Sequence, residues 1–328
     1  MLVPPRIDAL PRFALLDGPS PLGRLPRFSE ALGGDADVWI KREDLLPLAF
    51  GGNKLRNLEF LIGAALAEGA DTLITSGRRW SNHCRLTAAA GARAGLAVHL
   101  VLTGPPRPPG AEGPNQILEE LFGGTIHVTA KADREERAAV VESIAAEVRA
   151  AGGRPFVIDV GGTGPVGAAG QVLAGMELIE QLDDADVASA TVVVPSATGG
   201  TQAGLLHGLA LGAPPARPVI GIAVATRSAE LRPKIAAILE GLAPLTGARV
   251  TAEAIALEDD QLGDGYGVRT PEADEATRLL ARTEGILVDP IYTAKALAGL
   301  IARVRDGRLR GRVVFWHAGG TPGLFEPL

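Results

Sequence analysis

From about residue 55 the apolar positions along this chain alternate between two spacings. Leu55, Leu58, Leu61, Ile62, Ala65 and Leu66 recur at helical intervals up to Ala67, and Gly69 closes the segment. Thr72 to Thr75 is a short β-branched run, Asn82 to Ala94 is an Ala-rich helical stretch, and Ala97 to Leu102 reads as a strand. The cycle repeats with a helix from Glu112 to Leu121, a strand from Thr125 to Val128, a helix from Arg134 to Ala150 and a strand from Pro155 to Val160. A second series follows: helix Val166 to Gln181, strand Ala190 to Val194, helix Thr201 to Leu211 and strand Pro218 to Ala225. Helices near Pro271 to Thr283 and Thr293 to Arg305 and a late strand from Arg312 to Trp316 complete it. Strands this apolar, separated by helices, predict open parallel sheets covered on both faces, an α/β fold. Two such layers leave a cleft beyond the carboxyl ends of their strands, where ligands of this architecture sit.

Composition narrows the classes. With 328 residues the chain is long enough for two domains and a sizeable core. The 42 glycines are dispersed, which excludes collagen-like and low-complexity readings. A net charge of −6 without a basic block argues against nucleic acid or an anionic membrane surface as partner. Cys84 is the single cysteine, so the chain forms no internal disulfide and no multi-thiolate zinc cluster. That fits a reducing cytosol, and the N-terminus lacks the unbroken apolar run of a secretory signal. No apolar stretch is long enough to span a membrane. A cytoplasmic protein is expected.

Three Gly-rich junctions compete for a ligand. Gly162-Thr163-Gly164-Pro165-Val166-Gly167 satisfies the dinucleotide pattern, yet Asp183 and Asp184 fall at a helix end, where no ribose-binding acid is expected. An ordinary glycine turn opening a helix, with Pro165 in its first turn, is favoured there. Ser196-Ala197-Thr198-Gly199-Gly200-Thr201 follows a buried strand, so free backbone amides, a helix dipole and two hydroxyls converge on one point. Simple capping needs less, and a phosphate cup is favoured over it. The third junction, Gly51-Gly52-Asn53, delivers Lys54 to a helix start. There the dipole opposes its charge and, with burial, lowers its pKa toward the neutral amine that a Schiff base requires. Taken alone, a surface lysine has the same local signature. Ser81 and Asn82 stand at a strand-to-helix passage, where capping is the simpler reading. The only two tyrosines, Tyr266 and Tyr292, both lie in Gly- or Pro-flanked loops.

In order along the chain, Lys41–Asp44, Gly51–Arg56, Ser81-Asn82-His83, Thr198–Gly204, Tyr266-Gly267, Asp289–Lys295 and His317–Pro322 resemble one family. It is the D-cysteine desulfhydrase and 1-aminocyclopropane-1-carboxylate deaminase family, pyridoxal-phosphate enzymes of the tryptophan-synthase-β-like fold (fold type II). The resemblance implies that pyridoxal 5'-phosphate is attached at Lys54, with Asn82 at its phenolic oxygen. Ala197, Thr198, Gly199, Gly200 and Thr201 are expected to hold the phosphate, and Ser81, Tyr266 and Tyr292 to face the substrate. Residues 1–54 and 166–328 are expected to form a larger cofactor-binding domain and 55–165 a smaller α/β domain, in a homodimer.

Departures from the family pattern carry chemistry. Where the deaminases place a glutamate against the pyridine nitrogen this chain has Thr293, as the desulfhydrases do, but Ala318 replaces their second threonine. A hydroxyl keeps the ring protonated less well than a carboxylate, which favours β-elimination over opening a cyclopropane. Asn57 stands where the family usually has a lysine. Arg78-Arg79-Trp80 precedes Ser81 in place of smaller residues, either as a solvated edge or as a pocket reshaped for a sulfonate or carboxylate. The expected activity is a lyase removing the β substituent of a small amino acid such as D-cysteine. The rivals are an L-cysteate sulfo-lyase, a cyclopropane deaminase and, from another class, a non-catalytic or NAD-binding α/β protein.

Overall fold

The computed structural model describes residues 2–33, 35–104, 107–108, 110–129, 134–187, 189–212 and 217–327. Ten strands form two sheets among them: β1 (Leu22–Arg24), β2 (Ala36–Arg42), β3 (Thr72–Arg78), β4 (Ala97–Thr103), β5 (Thr125–Thr129), β6 (Pro155–Val157), β7 (Thr191–Ser196), β8 (Val219–Ala223), β9 (Ala256–Glu258) and β10 (Gly311–His317). The first sheet runs β1-β2-β10-β7-β8-β9 and the second β5-β4-β3-β6. All neighbours are parallel except β1, which lies antiparallel to β2 at an edge. β7, β8 and the end of β10 are buried on both faces, which is why they read as continuous apolar runs.

Three departures from the predicted elements have physical causes. The strand expected to reach Val160 stops at Val157, because β6 pairs with β3 only through Thr72–Ile74. Ile158 still donates to Ile74, and the chain then turns through left-handed Gly161 and Gly162 (φ 75° and 59°). The helix Ser228–Thr246 went unread, since Pro233 and Pro244 lie inside it. Each proline removes an intrahelical bond, but Leu231, Ile235, Ile238, Leu239 and Leu242 bury one continuous face, and that burial holds the helix. The chain before residue 55 also adds β1 and β2 to the sheet that β10 completes.

The start of the Lys54–Ala67 helix is fixed by buried charge. Arg56 Nε donates to Glu43 Oε2 at 2.6 Å and its Nη1 to Glu177 Oε2 at 2.9 Å, while Lys41 Nζ contacts Glu177 and donates to the Ser20 carbonyl and Gln181 Oε1 at 2.6 Å each. Two cations and two carboxylates balance. Burial alone would raise the pKa of Glu177, but Arg56 and then Lys41 outweigh it and hold the carboxyl below its ordinary value. The Glu177 contribution to stability is therefore present above the ordinary carboxyl range and is lost as pH falls through the depressed folded value. The substitution Arg56→Met removes the cation that pairs with fully buried Glu43 and leaves Lys41 alone against two carboxylates. It is expected to cost about 3–5 kcal/mol, read as a fall in Tm of several degrees; an unchanged Tm would show that the cluster does not secure this helix.

Candidate active site

A cavity of about 910 Å³ opens at the carboxyl ends of both sheets. It is lined by Lys54, Ser81, Asn82, Ala197, Thr198, Gly199, Thr201, Tyr266 and Tyr292, so segments remote in sequence share one space. Gly200 and Thr293 lie outside its lining.

Lys54 reaches the cavity from a loop that few sequences can make. Ala49, Phe50, Gly51 and Gly52 all have positive φ (49°, 63°, 64° and 128°), and a Cβ on Gly51 would overlap the Asp44 carbonyl. A Cβ on Gly319 would stand 2.5 Å from Gly52 Cα, so the loop and the β10 end meet backbone to backbone. Fully buried Arg85 donates to the carbonyls of Ala49 and Gly51 and holds this strained run. Burial then lowers the Lys54 pKa to about 8.

The anion cup is built from several directions. Gly199 is left-handed (φ 88°), no side chain caps the Gly200–Ala210 helix, and its first amides have no intrahelical acceptor. Asn53 Nδ2 donates to Thr201 Oγ1 at 2.8 Å, which leaves the threonine proton free to donate and ties the cup to Lys54's neighbour. The Gly161–Gly164 turn closes the other side: a Cβ on Gly161 would stand 2.9 Å from Thr198 Oγ1. Thr163 Oγ1, buried there, has no hydrogen-bond partner. The glycine turn that the dinucleotide pattern singled out is thus a wall of the cup. Nothing local in its sequence reveals this, because the contact spans the gap between Gly161 and Thr198.

Ser81 caps the Asn82–Ala94 helix, with Oγ accepting from Cys84 N at 3.2 Å, so its own proton remains available. Asn115, fully buried, donates from Nδ2 to Asn82 Oδ1 at 3.2 Å and turns the amide nitrogen of Asn82 outward as the free end. The Tyr266 and Tyr292 hydroxyls touch. Burial pushes the Tyr266 pKa up to about 12 and that of Tyr292 well above the ordinary phenol value, so both stay protonated. Lys295 Nζ positions the Tyr266 turn by donating to the Leu262 and Gly265 carbonyls at 2.7 and 3.1 Å. Thr293 is committed elsewhere: its hydroxyl donates to Asp289 Oδ1 at 2.6 Å and accepts from the Asp289 amide at 2.8 Å. Of the two arginines before Ser81, Arg78 lines the cavity; Arg79 is buried away from it, donating weakly to Gln116 Oε1 at 3.4 Å. Asn57 is buried, with Nδ2 donating to the Gly162 carbonyl and Oδ1 accepting from Gln171.

A half-buried lysine of lowered pKa that shares a cavity with a ring of amides and hydroxyls fits a phosphate-bearing carbonyl cofactor. Residues 13–319 match the family described as pyridoxal-phosphate dependent enzyme, and the chain belongs to it. Over 325 residues it is 42% identical to the D-cysteine desulfhydrase of Salmonella typhi, with 97% of each chain covered. The Klebsiella pneumoniae D-cysteine desulfhydrase matches at 42% over 324 residues, again 97% of each chain. A solved 1-aminocyclopropane-1-carboxylate (ACC) deaminase homologue superposes with a TM-score of 0.90 at 36% identity, covering 98% of this chain and 95% of that one. A solved threonine deaminase from T.th. shares the fold, with a TM-score of 0.65 at 22% identity and 92% of each chain covered. The fold is that of fold-type-II enzymes and the cofactor is pyridoxal 5'-phosphate, which the orphan Thr163 hydroxyl and the uncapped helix start fit. Cofactor uptake by the cofactor-free protein, followed by its visible absorbance, is expected to rise with pH through a midpoint of about 8, where Lys54 becomes neutral. A midpoint at the ordinary lysine value of 10.5 would contradict the burial argument.

Proposed function

We propose that this enzyme is a lyase that removes the β substituent of a small amino acid in the manner of D-cysteine desulfhydrase, giving a keto acid, ammonia and sulfide. The shared cavity of Lys54, Ser81 and the Tyr266–Tyr292 pair carries the reading, because an amine of lowered pKa and two protonated phenols line one space, as proton transfer to and from a substrate requires. Bound pyridoxal phosphate supplies an electron sink for the α-carbon. Lys54 Nζ is the attachment point and then the base that takes the α-proton; Ser81 Oγ orients the carboxylate. Tyr266 or Tyr292 gives its phenolic proton to the leaving group. Ala197, Thr198, Gly199, Gly200 and Thr201 would hold the phosphate, with Thr163 added to them, and Asn82 would hold the ring at its phenolic oxygen.

Thr293 leaves no carboxylate where the ring-opening deaminases carry one, which supports elimination over cyclopropane opening. In this reading residues 1–54 and 166–328 form the cofactor-binding domain and 55–165 the smaller one. A cytoplasmic homodimer completes it. The single cysteine suits a reducing compartment. Exposed Ile117, Leu121 and Phe325 supply an apolar face on two packed elements, the Pro114–Leu121 helix and the Thr321–Phe325 turn. No helix among the described residues is long and apolar enough to cross a membrane.

The test is the release of sulfide and keto acid from D-cysteine by the purified holoenzyme. Lys54→Ala is expected to abolish turnover and the visible band. Tyr266→Phe and Tyr292→Phe are each expected to lower kcat by about 10²-fold, the lower end of general-acid catalysis, with the band intact. A colourless protein that binds a nicotinamide dinucleotide would overturn the reading.

A further inference from the structure

Arg78 ends β3 and turns its side chain into the cavity that holds Lys54, Ser81, Tyr266 and Tyr292. Its guanidinium lies over the Trp80 ring at 5.8 Å, and Trp80 stands edge-on to Tyr266 with centroids 5.7 Å apart. A Cβ on Gly267 would stand 2.5 Å from the Trp80 ring, so the indole is wedged against the Tyr266 turn. Arginine, tryptophan and tyrosine therefore form one continuous array, with the guanidinium over the indole and the indole edge-on to the phenol. The positive charge of Arg78 also favours the ionised form of Tyr266, although burial dominates that phenol. Among the described residues Arg78 has no carboxylate partner, unlike Arg56, Arg42 or Arg107. Arg79 is excluded by its burial on the far side, against Gly104.

We propose that Arg78 makes the enzyme selective for amino acids whose β substituent bears a negative charge, a sulfonate being the simplest. The proposal rests on the β-elimination reading, which puts the β substituent at the tyrosine pair. A neutral thiol would leave the guanidinium partly desolvated and unpaired, whereas a sulfonate accepts two of its N–H groups. The reaction balances without oxidant or reductant. The α-proton passes to Lys54, the C–S bond breaks with its electron pair leaving on sulfur, and water completes hydrolysis. Cysteate and water give pyruvate, ammonium and hydrogen sulfite.

The experiment measures kcat/KM of the holoenzyme for cysteine and cysteate, each as both enantiomers, together with Arg78→Gln, Arg78→Lys and Arg79→Gln. Retained cofactor absorbance certifies that each variant is folded. The wild type is expected to prefer cysteate by about tenfold or more. Arg78→Gln is expected to lower the cysteate-to-cysteine ratio roughly 10–100-fold, as loss of a charge-assisted pair does, with Arg78→Lys restoring part of it and Arg79→Gln leaving the ratio unchanged. Equal loss for both substrates would overturn the proposal and make Arg78 a reader of the α-carboxylate. A wild type that eliminates sulfide from cysteine but ignores cysteate would overturn it and leave the β-elimination reading standing. Elimination from neither would overturn both.

Discussion

The neutral cluster of Lys41, Glu43, Arg56 and Glu177 is the constraint on which the rest of the site depends. It joins β2, the turn after it, the helix that begins at Lys54 and the Pro165–Asp184 helix. Buried ion pairs give little net stability over apolar packing, but removing one partner is expensive. Such a cluster therefore selects one arrangement of its elements more than it strengthens that arrangement. Arg56 lies two positions after Lys54, so the orientation that satisfies Glu43 and Glu177 also sets the amine in the cavity.

On the other side of Lys54 the loop runs through four consecutive positive-φ residues, two of them without the freedom of glycine. This strain persists because Arg85 binds its carbonyls, Gly52 N donates to the Glu43 carbonyl at 2.8 Å and Asn53 N donates to the Ala318 carbonyl at 2.9 Å. Glu43 thus serves both sides, with its carboxylate on Arg56 and its carbonyl on Gly52. The lysine is held from before and after by one residue's two ends.

Much of this was legible. The helices and strands from Leu55 to Leu211 follow their hydrophobic periods, because packing there agrees with local pattern. The Ser228–Thr246 helix did not follow its local signal, since two prolines mask a face that only tertiary burial makes visible. β1 and β2 escaped because edge pairing and a crossover to β10 leave no local mark. In the site, the sequence named the lysine, the glycine cup, Ser81, Asn82 and both tyrosines, and the structure gives most of them a common cavity. Thr163, Arg85 and Asn115 were invisible, since each acts on a segment distant in sequence. For Thr293 the spacing to Asp289 was in view, but the reciprocal bonds that take its hydroxyl out of the cavity were not.

One physical cause then divides the chemical roles. Burial disfavours charge, so it moves an amine and a phenol in opposite directions. In the same cavity it brings Lys54 down to about 8 and pushes Tyr266 up to about 12. Near neutral pH this leaves an amine poised to lose its proton beside a phenol that keeps its own. In the proposed elimination these are the states that a base and an acid need. Arg78 brings a guanidinium to the same cavity, over the Trp80 ring. Its stack on Trp80 compensates only part of the lost hydration, so the remainder favours whichever bound group is anionic.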